Sequence, residues 1–321
     1  MLLLVTNRRD ITMDYVVAEL QRRKAAYFRL NTELLPETLC TLASYPRSAW
    51  SIALGDRTIH GDQITAAYFR RPGAPIAPNS VNDAGERGYI EAEWGSFLKS
   101  LYSRLDKQWL NSPTNIFLAE DKPLQLMLAH ELGFDIPATA ITNNIQSVRR
   151  IAEVGQAIGK PLRQAVLTGE SERVIFTSRL NKVEDQQAEA IAITPFIVQS
   201  EIVKKYDVRV TVVGDQIFAA AIWSQDHSET EVDWRQGSRP DLKHEAIKLP
   251  IHVEEQCRRL LKRLNLRFGA IDLVCDREDR LWFLEINPNG QWAWIENMTG
   301  FPIASALVDE LLRIGRDSVQ A

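Results

Sequence analysis

Two apolar runs near the carboxyl end constrain the fold more than any other stretch. Gly269-Ala-Ile-Asp-Leu-Val-Cys275 and Leu281-Trp-Phe-Leu-Glu-Ile-Asn287 flank the polar segment Asp276-Arg277-Glu278-Asp279. Short apolar runs bounded by turn residues predict an antiparallel hairpin. Ile271, Leu273, Leu281, Phe283, Leu284 and Ile286 place apolar side chains on both faces, so the hairpin is expected inside the protein. Asp272 and Glu285 are then acids in a buried ladder, where an uncompensated charge is costly. A turn centred on Arg277 and Glu278 sets Asp272 opposite Phe283. With a side-chain period of two, Phe283, Glu285 and Asn287 share the face of Asp272. Two carboxylates and an amide oxygen, without thiolate or imidazole, suit magnesium rather than zinc or copper. The alternative is an acidic hairpin facing solvent, against which the apolar neighbours argue. A one-residue slip in register would separate the set.

The chain of 321 residues is long enough for two or three domains. It divides into blocks at 1–113, 114–192 and 193–321. In the first, the strand Leu2–Val5, a helix capped by Asp10 and the strand Ala25–Leu30 predict a parallel α/β unit. A strand over Ile64–Phe69 runs into Arg70-Arg71-Pro72-Gly73, and a helix follows from about 85 to 105. The second block opens on a helix with Pro123 in its first turn, Leu124, Leu128 and Leu132 on one stripe and Gly133 as its stop. Strand-like runs follow at Ala138–Thr142, around Lys160 and at Arg173–Ser178. In the third, Val208, Val210 and Val212 alternate up to a turn at Gly214-Asp215, and a helix carries Val253, Cys257, Leu260, Leu261 and Leu264. The fold class expected is α/β.

Composition removes several function classes. A net charge of −4 and a pI near 5.8 argue against a nucleic-acid surface. Arg22-Arg23-Lys24 and Arg258-Arg259 read as solvated helix faces. Cys40, Cys257 and Cys275 are too dispersed for a disulfide framework or a zinc knuckle. The apolar opening Met1–Val5 is too short for a signal peptide, and no apolar run reaches the roughly 20 residues of a membrane span. The expected setting is reducing and cytoplasmic.

Phe268-Gly-Ala-Ile-Asp-Leu273 with Phe283-Leu-Glu-Ile-Asn-Pro-Asn289 resembles the metal-binding end of the ATP-grasp fold, which implies that fold with an amino-terminal parallel α/β domain. The resemblance makes Asp272, Glu285 and Asn287 the ligands of magnesium ions that hold ATP. Lys122 and Lys160 resemble the two phosphate lysines of the family. Gln199-Ser-Glu-Ile-Val203 resembles the hinge that meets adenine, which implies nucleotide contacts at Gln199, Glu201 and Ile202. Asp207-Val-Arg-Val-Thr-Val-Val-Gly214 resembles the family's D-x-R-V strand and adds Asp207 to the nucleotide set. Arg209 and Arg235 are candidates to hold a substrate carboxylate or acyl phosphate, since a guanidinium fork matches such groups. For Arg209 the alternative is a structural ion pair with Asp207.

Tyr68-Phe-Arg-Arg-Pro72, Val232-Asp-Trp-Arg235 and Glu285-Ile-Asn-Pro-Asn-Gly-Gln-Trp292 together resemble the maturases of graspetides, the microviridin type. That branch implies an ATP-dependent ligase that activates side-chain carboxylates of a ribosomal precursor peptide and closes ω-ester or ω-amide rings. It implies ATP and magnesium as cofactors, a precursor with a leader and an acidic core as partner, and a homodimer. Arg70 and Arg71 are expected at a domain interface or peptide contact, and Trp292 and Trp294 in the core. The sequence departs from the family after Lys160, where Pro161 to Gly169 holds a single late glycine; lid contacts are expected at Thr168 to Ser171. Ser200 stands where the hinge is expected to carry an acid. Two alternatives remain: a RimK-like amino-acid ligase acting on a chain terminus, and a nucleotide-binding regulatory module. Retention of Asp272, Glu285 and Asn287 speaks against the latter.

Overall fold

The computed structural model describes residues 1–163, 166–167, 173–181, 183–236 and 241–320. The amino-terminal sheet is parallel, in the order β2 (Tyr27–Asn31), β1 (Leu2–Thr6), β6 (Ala66–Phe69). Parallel neighbours need crossovers. α1 (Ile11–Arg22) makes the first, and the antiparallel meander β3 (Leu39–Leu42), β4 (Trp50–Leu54) and β5 (Arg57–His60) lies within the second. β1 is buried on both faces, which explains its unbroken apolar sequence. Leu2 and Leu4 pack with Met13, Val16 and Trp292, whereas Leu3 and Val5 pack with Phe28 and with Leu98 and Leu101 of α2 (Ala84–Arg104).

Next come α3 (Pro113–Ala119) and α4 (Lys122–Glu131), capped by the side chains of Ser112 and Asp121, each with proline in the first turn. A smaller α/β unit follows: β7 (Thr139–Thr142), α5 (Ile145–Val154), β8 (Ala157–Lys160), β9 (Val166–Leu167), β10 (Arg173–Val174), β11 (Ser178–Arg179), α6 (Ala188–Ala192) and β12 (Phe196–Ser200). Its sheet runs β11-β8-β12-β7. The single strand expected over Arg173–Ser178 is two pieces, because β10 pairs with β9 while β11 pairs with β8. Thr168 to Ser171 lie outside the described residues.

The carboxyl-terminal part holds β13 (Lys204–Val213), β14 (Gln216–Ile222), β15 (His244–Ile247), α7 (Ile251–Arg263), β16 (Phe268–Asp276), β17 (Leu281–Asn287), α8 (Ala293–Thr299) and α9 (Ile303–Gln320). Five antiparallel strands form a sheet in the order β15-β14-β13-β16-β17. Its two faces differ by strand parity. Val208, Val210 and Val212 bury against Leu128 of α4 and Cys257 and Leu260 of α7. Asp207, Arg209 and Thr211 alternate with them onto the opposite face.

Packing cuts across the three sequence blocks. β12 lies beyond residue 192, yet its hydrogen bonds go to β7 and β8. α4 joins the core of the five-stranded sheet, and α9 packs with α1 beside the amino-terminal sheet. Each segment follows its unpaired edge or apolar stripe rather than its neighbours in sequence.

The register of the second hairpin also differs from the expected one. Asp272 lies opposite Glu285, not Phe283, and the pairing shifts by one residue between Asp272 and Leu273, leaving Leu284 as the extra residue of β17. The turn is one residue longer than the expected two: the Asp276 amide donates to the Arg280 carbonyl across Arg277, Glu278 and Asp279, and Asp279 takes a left-handed φ of 64°. The bulge reverses side-chain parity along β17. Phe283 and Ile286 both enter the apolar core, Phe283 against Phe134, while Glu285 and Asn287 take the other face.

Asn111 joins the amino-terminal domain to this hairpin. It is 3% exposed; its Nδ2 donates to the Phe268 (2.7 Å) and Pro288 (3.1 Å) carbonyls, and its Oδ1 accepts the Arg267 and Phe268 amides. Asn111→Ala orphans four backbone groups and is expected to lower the unfolding free energy by about 3 kcal/mol. Chemical denaturation measures the loss; a change below a few tenths contradicts this role.

Candidate active site

The polar face of the five-stranded sheet forms the floor of a cleft of about 300 Å³, roofed by β8 and β12. Lys122, Lys160, Gln199, Glu201, Ile202, Asp207, Arg235, Asp272 and Glu285 all line it. Pro137, Ile158, Ile175, Val174 and Ile202 supply an apolar part of the wall, and the charged side chains the rest. An apolar slot joined to a cationic end is the shape a nucleotide requires. Arg209 and Asn287 adjoin the floor, in the face rows of Asp272 and Glu285.

Each floor carboxylate carries a cation. Arg209 Nη1 is 2.6 Å from Asp272 Oδ1, so the arginine pairs across to β16 and not with Asp207 on its own strand. Lys122 Nζ is 3.0 Å from Glu285 Oε2, and Arg235 Nη1 is 3.9 Å from Glu285 Oε1. Burial pushes the Glu285 carboxyl up, but Lys122, Arg235 and Lys160 together outweigh it and hold it below the usual carboxylate range. Burial, with repulsion from Glu285, keeps Asp272 above its usual value against the pull of Arg209.

Lys122 owes its position to the cap at Asp121 and to Gln125. The Gln125 amide takes the place of a further strand at the outer edge of β17: its Oε1 accepts the Ile286 amide (2.9 Å) and its Nε2 donates to the Ile286 carbonyl (2.8 Å). Docking of α4 through this pair carries Lys122 to Glu285. Gln125 gives no sequence signal beyond being a buried polar residue in an apolar helix, and its role is legible only once β17 is known to be an edge. Asp233 was missed too, although it sits inside the Val232–Arg235 motif. It holds Arg235 through Nε (2.8 Å) and Nη2 (2.9 Å).

In the roof, Lys160 Nζ donates to Gln199 Oε1 (2.6 Å), and Gln199 Nε2 donates to Thr139 Oγ1 (2.8 Å). The Gln199 side chain therefore orients the lysine. Desolvation lowers Lys160 to about 8, with Glu285 opposing and Lys122 adding to the fall. The Ser200 and Glu201 amides already donate to the Ala138 and Gln156 carbonyls. Ile202 is the first amide of the hinge with no such partner among the described residues. Glu201 is held by Arg179 on both carboxylate oxygens at 2.8 Å. Asp207 is buried and accepts from Lys204 (2.7 Å) and Ser224, which makes it a support for the floor.

Asp272, Glu285 and Asn287 form an all-oxygen donor set on one face of one hairpin, and this set fits a hard divalent cation such as magnesium. The Asn287 Oδ1 also accepts the Asn289 amide (2.9 Å), which fixes the side-chain amide at the strand end.

The pattern of the RimK-like ATP-grasp domain matches residues 119–311. Among solved structures, the chain is similar to the macrocyclase MdnC of Microcystis aeruginosa MRC, crystallised with the precursor peptide MdnA. The identity is 30%, the coverage 98% of this chain and 99% of that one, and the TM-score 0.86. It is also similar to a RiPP-associated ATP-grasp ligase of Chryseobacterium gregarium in complex with ADP and a leader and core peptide. Identity there is 25%, coverage 97% and 96%, and the TM-score 0.88. A probable alpha-L-glutamate ligase of Shewanella halifaxensis is 22% identical over 223 residues, 68% of this chain; the chain spans 47% of the length of that relative. Fold, floor and sequence pattern agree, and the chain belongs to the RimK-like ATP-grasp family of ligases.

Proposed function

We propose that the protein is an ATP-dependent peptide macrocyclase that joins side-chain carboxylates of a ribosomal precursor peptide to hydroxyl or amine side chains. The observation that carries this reading is likeness over nearly the whole of both chains, amino-terminal domain included, to two ligases captured with their peptides. The glutamate ligase shares only part of its length with this chain, so it supports the ATP half of the chemistry more than the substrate half. A leader, an acidic core and a homodimeric assembly belong to the same proposal. Cys40, Cys257 and Cys275 are free, which accords with a cytoplasmic setting. Among the described residues no helix is long and apolar enough to cross a membrane.

A carboxylate is a poor acyl donor because its leaving group is oxide. In the proposed reaction a peptide carboxylate oxygen attacks the γ-phosphorus of ATP, ADP departs and an acyl phosphate remains. The hydroxyl or amine then attacks the acyl carbon, loses its proton and expels phosphate. Asp272, Glu285 and Asn287 are the residues to hold magnesium, which when bound supplies positive charge to the nucleotide phosphates. Lys122 and Lys160 add point charges on the phosphates. Arg209 and Arg235 present planar forks to the carboxylate and the acyl phosphate. Glu201 and Ile202 frame the slot for the base, while Gln199 and Asp207 hold their neighbours in place.

Incubation with ATP, magnesium and a small acidic peptide encoded beside this gene is expected to lower the peptide's intact mass by one water per ring. A gain of amino-acid residues instead moves the assignment to an amino-acid ligase, and ATP binding without any turnover moves it to a regulatory module. Asp272→Asn and Glu285→Gln are each expected to reduce ring formation at least about a hundredfold with the far-ultraviolet dichroism unchanged; full activity in either variant contradicts the metal assignment.

Lys160 sets a pH dependence. Its folded value near 8 lies below that of free lysine, so the nucleotide-free protein carries this charge below pH 8 and loses it above. Nucleotide affinity is therefore expected to weaken as pH rises through 8, by up to about tenfold per unit. Calorimetry in two buffers of different ionisation enthalpy should detect proton uptake on binding above pH 8. Lys160→Arg removes the slope, because guanidinium stays charged; an unchanged slope in that variant contradicts the assignment.

A further inference from the structure

Arg70 lies outside the cleft lining, yet its side chain has no solvent exposure at all. A buried guanidinium is costly unless its charge and N–H groups are matched; among the described residues only its Nη1 makes hydrogen bonds, while Nε and Nη2 make none. Its Nη1 donates to the carbonyls of Asn289 (3.2 Å) and Gly290 (3.0 Å). Its Nε is 3.3 Å from Asp10 Oδ2, an oxygen that also accepts the Thr6 hydroxyl. The residue at the end of β6 thus reaches the loop that leaves the metal strand.

That loop is held carbonyl by carbonyl. Pro288 is met by Asn111, Asn289 and Gly290 by Arg70, and Gln291 by Arg209 at 3.5 Å. Gly290 lies so close to the sheet that an added Cβ would sit 2.4 Å from the Cβ of Ala270, the strand partner of Asn287. From the loop, two short links run to the floor. The Asn289 amide donates to Asn287 Oδ1, and Arg209 holds both the Gln291 carbonyl and Asp272. One residue, Asn289, links Arg70 to the Asn287 side chain, through its carbonyl on one side and its amide on the other.

We propose that Arg70, oriented by Asp10, is a positioning residue for the divalent-cation site: it fixes the 288–291 loop and through it the Asn287 amide and Arg209. The amino-terminal domain then helps to set the metal affinity of a hairpin some two hundred residues away in sequence. The proposal rests on the magnesium reading of that hairpin and is independent of which peptide is cyclised. Outer partners that orient metal ligands commonly account for 10- to 100-fold in affinity.

The test is ADP binding by titration calorimetry over a series of magnesium concentrations, without peptide and without turnover, in the wild type, Arg70→Lys and Asp10→Asn. An ammonium cannot reach two carbonyls and Asp10 together. Arg70→Lys is therefore expected to raise the half-saturating magnesium concentration about tenfold, and Asp10→Asn to raise it less. The steady-state corollary is a loss of kcat in Arg70→Lys that high magnesium partly restores, with the KM for peptide unchanged. Asp10→Asn, which keeps the arginine, serves if Arg70→Lys fails to fold. Lowered melting temperatures with no shift in the magnesium midpoint overturn the proposal and leave Arg70 a structural residue. Wild-type ADP binding that ignores magnesium removes the metal reading and this proposal together, whereas failure of ring closure alone touches only the choice of substrate.

Discussion

Asp272 and Glu285 stand directly opposite one another on neighbouring strands, a placement that repulsion between like charges opposes. It persists because cations arrive from separate parts of the chain: Arg209 from β13, Lys122 from the first turn of α4, and Arg235 from the loop after β14. Lys160 adds a longer-range attraction from the roof strand β8. β13, α4, the loop after β14 and β8 thus each bring one positive charge towards a common point. Under the proposed function, a metal ion and a triphosphate would enter a site whose positive and negative groups are already interleaved. Preorganisation of this kind is what makes electrostatic stabilisation effective in a desolvated cleft.

Backbone satisfaction does the positioning. β17 is the edge strand of its sheet, and an unpaired edge beneath a polar cleft would admit water or another strand. The Gln125 amide and the Asp135 carbonyl, which accepts the Phe283 amide, close that edge. The loop beyond Asn287 is closed in the same way by Asn111, Arg70 and Arg209. The side chains that present charge to the cleft are thus held by others that cap peptide groups behind them. This division explains why buried polar residues such as Asn111, Gln125 and Arg70 are spread over the first 125 positions while the carboxylates sit near the end.

Much of this was legible in the sequence because strands encode it with a period of two. The alternation of Val208, Val210 and Val212 with Asp207, Arg209 and Thr211 separates an apolar face from a functional face without any structure. The same logic marked Asp272, Glu285 and Asn287. It failed at Phe283, since a bulge at Leu284 shifts the parity by one residue and nothing in the local composition announces it. The partner of Arg209 was equally out of reach: choosing Asp272 over Asp207 depends on which strand lies alongside, a matter of topology. The partners of β12 and α9 depend on topology in the same way, because both are claimed by edges and apolar faces formed far away in the chain.

In the proposed function the floor and its cations serve one chemical event, transfer of the γ-phosphoryl group to a peptide carboxylate. The most direct measurement labels the side-chain carboxylates of the peptide with oxygen-18 and follows the label through one round of ring closure. An acyl phosphate intermediate delivers one labelled oxygen to inorganic phosphate for each ring formed, and this is the result the account predicts. Label recovered in AMP would signify an adenylate, and label absent from both phosphate and AMP would signify no carboxylate activation; either result contradicts the central claim.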